Sequence, residues 1–131
     1  MMLLLDTQTL TWSYENDPKL PVHVGQMILD PANTIFVSSA SHWEMAIKVS
    51  TGKLQLSEPF ADFVQHAVYD QGFRLLPPEP RHTAEVAILR YPLKAHRDPF
   101  DRLLIAQARV DQLSVLSADP KFDAYGVTRL W

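Results

Sequence analysis

Short apolar runs alternate with amphipathic stretches from one end of the chain to the other. Residues 2–6 (MLLLD) are apolar without a break until an acid, the pattern of a short strand covered on both faces. TIFVSSA (34–40), FRLLPP (73–78), SVLSAD (114–119) and VTRLW (127–131) read as further strands, FRLLPP being stopped by its prolines. Between the strands lie stretches of helical spacing. They cover 8–16, 21–30, the segment SHWEMAIKVSTGKL that Gly52 closes, 58–72, 80–90 and about 98–112. The alternation predicts an α/β fold, a mainly parallel central sheet with helices on both faces, as a single domain over residues 1–131. No repeat, low-complexity tract or linker divides it.

One helix breaks its own pattern. In HRDPFDRLLIAQA (96–108), Asp101 shares a stripe with Leu104, Ile105 and Ala108, while Arg102 and Arg109 mark the expected wet side. Three other acids occupy related places. Asp6 ends the first strand, Glu44 falls in the first turn expected of the helix after TIFVSSA, and Asp119 ends the SVLSAD strand. Strand C-termini and the N-termini of the following helices share one edge of a parallel sheet, so these four acids are expected to converge there. Two carboxylates ~4 Å apart repel by ~4 kcal/mol at an effective dielectric near 20, so such a cluster requires protons or cations. Hard oxygen donors suit Mg²⁺ or Mn²⁺, and the matching chemistry is hydrolysis of a phosphodiester.

Each acid also has a purely structural reading. Ser41-His42-Trp43-Glu44 has the form of a capping box, Asp98 before Pro99 fits an N-cap, Asp101 suits a helix N-terminus, and Asp119 before Pro120 can cap a short turn. Asp6 stands apart, because an acid ending a buried strand has no local backbone role that Ser would not fill.

Composition changes this picture little. Hydrophobic residues make up 47% and charged residues 21%, as in a globular domain with a real core. The absence of cysteine removes disulfides, thiolate zinc and cysteine nucleophiles, and fits a cytoplasmic location. The apolar run in MMLLLDT is too short for a signal or membrane segment, so no membrane association is expected. A formal charge of −3 argues mildly against nucleic acid as a partner, but taking four metal-bound carboxylates out of the count leaves +1.

LLLDT, SSASHWEMAIKVSTGKL, HRDPFDRLLIAQA and SADPKFDAYGV, in this order and spacing, together resemble the PIN-domain family, in particular the VapC-type ribonuclease toxins of bacterial toxin–antitoxin pairs. The resemblance runs from residue 3 to the C-terminus. It implies a PIN-like α/β/α sandwich and a Mg²⁺- or Mn²⁺-dependent endoribonuclease. It places the acidic quartet on Asp6, Glu44, Asp101 and Asp119, with Asp6 and Asp101 as the principal metal ligands and the other two completing the site directly or through water. Thr7 and Ser117 become supporting or water-binding hydroxyls. It also implies a cognate antitoxin, homodimerisation and a toxin–antitoxin hetero-oligomer, with Leu10, Trp12, Val22, Val24, Phe60, Phe63 and Val68 as apolar residues for such contacts. Close relatives often carry His two residues after the first acid, where this chain has Gln8.

Lys48, Arg97 and Arg102 flank the motifs and are candidate phosphate contacts, as are Lys53, Lys94 and His96. The five histidines show no metal-ligand spacing, and Trp43 is expected in the core. Two other functions use acids at strand ends. An aspartate-nucleophile phosphatase needs DxDxT, but Asp6 is followed by Thr7 and Gln8; a receiver needs a late-strand lysine, but VTRLW offers only Arg129. A PIN-like RNA-binding or RNA-processing domain outside a toxin–antitoxin pair is the nearer alternative.

Overall fold

Leu3, Leu4 and Leu5 are completely enclosed in the computed structural model, which describes residues 1–131. They form β1 (Met2–Leu5), the middle strand of a five-stranded parallel sheet ordered β3-β2-β1-β4-β5. The other strands are β2 (Thr34–Ser38), β3 (Arg74–Leu76), β4 (Ser114–Leu116) and β5 (Arg129–Leu130). Successive side chains of a strand point to opposite faces. Leu3 and Leu5 accordingly join one core layer with Ile35, Val37, Met45 and Phe63, and Leu4 joins the other with Leu104, Ile105 and Val115. This two-sided burial is why the run has no polar alternation.

The first layer is covered by α1 (Thr7–Glu15), α2 (Val22–Leu29), α3 (Ser39–Ser50) and α4 (Phe60–Val64), which runs on as a π-helical turn over Gln65–Tyr69. The second layer is built on α6 (Pro99–Asp111), against which α5 (Pro80–Ile88) packs. Of the apolar residues considered for partner contacts, Leu10, Val24, Phe63 and Val68 are in the core, Trp12 and Phe60 are partly buried, and Val22 is 78% exposed. No helix is long and apolar enough to cross a membrane.

α3 starts earlier than expected. Its N-cap is Ser38, whose hydroxyl accepts the Ala40 N–H at 3.1 Å, so the box between Ser41 and Glu44 does not form. The Ser41 hydroxyl is instead buried without a partner, and Glu44 lies in the second turn, free to face the sheet edge.

Candidate active site

From β1 the chain moves outward through β2 to β3, then returns to β4 on the other side of β1. In a parallel sheet, the carboxyl edge opens into a crevice where the order reverses in this way. Asp6 leaves β1 at that point, and Ser117 to Asp119 leave β4 beside it. The Asp6 N–H extends the ladder to the Leu116 carbonyl at 3.3 Å, and the Thr9 hydroxyl donates to the same carbonyl at 2.9 Å.

Asp6 does have a local backbone role. It N-caps α1, accepting the Thr9 N–H on Oδ1 at 2.8 Å. Ser could supply that one oxygen, but Asp6 also accepts the Ser117 hydroxyl on Oδ2 at 2.5 Å. The Ser117 oxygen in turn accepts the Asp119 N–H at 3.0 Å, closing a polar link between the ends of β1 and β4. Burial pushes the Asp6 carboxyl above its ordinary range against the hydrogen bonds from Ser117 and Thr9, and the charge of Asp119 pushes the same way.

Glu44 accepts the Thr7 hydroxyl on Oε1 at 2.6 Å and lies 3.3 Å from Lys48 Nζ through Oε2. Asp101 sits three residues into α6, behind the N-cap Asp98, which accepts its N–H at 2.9 Å. Burial raises the Asp101 carboxyl; a hydrogen bond from His96 opposes this, and the charges of Asp98 and Glu44 reinforce it. Asp119 caps the 3₁₀ turn Pro120–Tyr125 by accepting the Lys121 N–H at 3.0 Å.

All four acids line one open cleft of ≈ 380 Å³, together with Thr7, Gln8, Lys48 and Lys53. No three acidic or imidazole side chains gather closely enough to enclose an ion by themselves. The donor set nevertheless fits a hard cation. Two desolvated carboxylates with raised proton affinity face the cleft, and Mg²⁺ is commonly held by one or two carboxylates with water or phosphate oxygens filling the other positions.

Several expected residues lie elsewhere. Arg102, read both as a phosphate contact and as a mark of the wet side, is only 3% exposed. Its guanidinium donates to the Leu89 and Arg90 carbonyls at 2.8 and 2.9 Å and stacks 3.7 Å from the Tyr91 ring centroid, and it takes no part in lining the cleft. Arg97 is exposed, outside the cleft, with its guanidinium 4.8 Å from the same ring. Trp43, expected in the core, is 64% exposed and meets Phe100 edge-on at 5.3 Å. His96, read only as a candidate phosphate contact, is buried against Asp101, 2.9 Å from Oδ2. Its place five residues before Asp101 hinted at contact, but the intervening loop has to fold back to make it.

A profile of the PIN domain matches residues 3–127. Among solved structures, VapBC2 from Rickettsia felis bound to a promoter DNA fragment is 18% identical, with a TM-score of 0.69 over 99% of this chain and 98% of that one. FitAcB from Neisseria gonorrhoeae is 24% identical, with a TM-score of 0.66 over 99% and 97%. VapBC-1 from nontypeable Haemophilus influenzae is 15% identical, with a TM-score of 0.66 over 99% and 97%. At these identities the likeness is one of fold. No curated protein sequence matches the chain.

Proposed function

The chain belongs to the PIN-domain family, a family of nucleases, and on that premise we propose that it is a Mg²⁺- or Mn²⁺-dependent endoribonuclease acting as the toxin of a toxin–antitoxin pair. One observation carries the reading. Asp6, Glu44, Asp101 and Asp119, from four separate elements, line one cleft at the strand-order reversal, and burial raises the two carboxyls assigned to the metal. Asp6 and Asp101 hold the cation; Glu44 and Asp119 complete its surroundings directly or through water. A cation held by these carboxylates would supply a more acidic bound water and positive charge to offset the phosphate. Ser117 and Thr9 fix the Asp6 carboxylate and Thr7 fixes that of Glu44, so little reorganisation is needed when substrate arrives. A carboxylate not engaged with the cation accepts the proton of the attacking water. Lys48 and Lys53, on the cleft wall, position RNA through its phosphates without reading sequence.

The partner is a small antitoxin, and the toxin itself dimerises. The VapBC and FitAcB folds support this part of the reading, as does exposed apolar surface on α2, where Val22 and Leu29 are both largely uncovered. The working location is the cytoplasm.

The test is cleavage of single-stranded RNA, with single-stranded DNA in parallel. Cleavage of RNA is expected to require Mg²⁺ or Mn²⁺, to stop with EDTA, and to fall by orders of magnitude in Asp6→Asn and Asp101→Asn. Asp101→Asn cleaving like wild type while Asp98→Asn is dead would overturn the assignment. Growth arrest on expression that persists in Asp6→Asn would refute nuclease action as its cause.

A further inference from the structure

His96 is 4% exposed, and both of its ring nitrogens are engaged. Nδ1 lies 2.6 Å from the Tyr125 hydroxyl and Nε2 lies 2.9 Å from Asp101 Oδ2. A carboxylate only accepts, so the proton of the neutral ring sits on Nε2 and points at Asp101; Nδ1 then accepts the Tyr125 O–H. Donation runs one way, from Tyr125 through His96 to Asp101.

This chain is built in from both sides. Tyr125 is buried at the end of the 3₁₀ turn that Asp119 caps, and its carbonyl accepts an N–H of Arg109 at 2.8 Å. The His96 N–H donates to the Leu93 carbonyl at 3.0 Å, in the loop whose start the buried Arg102 ties to α6. His96 is not on the cleft wall; Asp101 is. The imidazole therefore stands behind the carboxylate, holding Oδ2 and leaving Oδ1 with no hydrogen-bond partner in the chain. Without that tether the terminal torsion of Asp101 is soft.

We propose that His96 is a positioning residue that presents the Asp101 carboxylate to the cation, with the Tyr125 hydroxyl holding the ring in place through Nδ1. The inference rests on Asp101 holding that cation, as in the function proposed above. Outer partners of this kind are worth roughly 10–100-fold in metal affinity.

The experiment titrates Mn²⁺ alone into the metal-free chain and follows free Mn²⁺ by electron paramagnetic resonance, with a thermal melt of every variant. His96→Leu is expected to weaken binding by about tenfold or more. His96→Gln, whose amide N–H reaches the same oxygen, restores most of that loss. Tyr125→Phe, which leaves Nδ1 without a partner and loosens the ring, weakens binding, while the Nε2–H tautomer that Asp101 dictates persists in the histidine ¹⁵N spectrum. Wild-type affinity in His96→Leu overturns the proposal, as does equal loss in the Leu and Gln variants, which marks a packing role. Should His96→Leu fail to fold, unchanged affinity in Tyr125→Phe overturns it instead. Binding that survives Asp101→Asn refutes the metal site itself, whereas binding lost in Asp101→Asn but intact in His96→Leu refutes only the role of His96.

Discussion

Asp98 is exposed and accepts the Asp101 N–H at 2.9 Å, whereas three residues later the Asp101 carboxyl is half-buried against His96. Removing a cap leaves a helix N–H unsatisfied, at a cost of about 0.5–2 kcal/mol. Asp98→Ala is therefore expected to lower stability by that amount and leave cleavage per folded molecule close to wild type. In Asp101→Asn the metal-free chain is expected to melt no lower than wild type, since a desolvated charge has been removed, while cleavage collapses. Denaturant melts paired with a cleavage assay separate the two outcomes. That Asp98 caps the helix while Asp101 turns inward was legible because Pro99 fixes the helix start and the acid two places after it falls on the apolar stripe. Arg102 was not legible. A positive charge reads as solvent-facing until two carbonyls and an aromatic face are found around it, and those partners come from residues 89–91, a loop with no periodicity to place it.

At the scale of elements, α5 is fastened to α6 by a polar clasp. His82, fully buried, accepts the Glu79 N–H on Nδ1 at 3.0 Å, so its Nε2–H donates to Asp111 at 2.9 Å, and Arg81 reaches the same carboxylate at 3.1 and 3.3 Å. Burial pushes the Asp111 carboxyl up, but the hydrogen bonds and charges of Arg81 and His82 together hold it below its ordinary value of 3.8. A carboxyl depressed on folding adds stability that is fully present above its unfolded pKa and is lost as pH falls through the folded one. The contribution of Asp111 is therefore intact at neutral pH and disappears below about 3.8. Melting temperatures of wild type and Asp111→Asn, followed between about pH 5 and pH 2, are expected to converge at the acid end. An equally wide gap at both ends would refute the clasp. Helix ends were harder to read than helix bodies. Ser38 and Ser41 are both able caps, and which one serves depends on where β2 stops pairing with its neighbours.

At the scale of the molecule, burial at the cleft raises the Asp6 and Asp101 carboxyls above their ordinary range, and the charges of neighbouring acids add to it. Mn²⁺ at about 100 times its Kd is accordingly expected to stabilise the chain by about 2.7 kcal/mol, raising its melting temperature, with the effect much reduced in Asp6→Asn. A melt indifferent to Mn²⁺ would count against the site. That the acids share an edge was readable from the alternation of strands and helices, because any parallel sheet brings strand ends and helix starts together. The strand order was not readable, since periodicity reports that a strand exists and says nothing of its neighbours. That order has a consequence in time. Ser117, which holds Asp6, follows it by 111 positions, and β1 gains its second neighbour only when β4 is made. A nascent chain leaving the ribosome thus carries a half-paired central strand and an unassembled cleft, and its long-range closure comes late. On the function proposed above, the cleft therefore stays unassembled until synthesis of the chain is nearly complete.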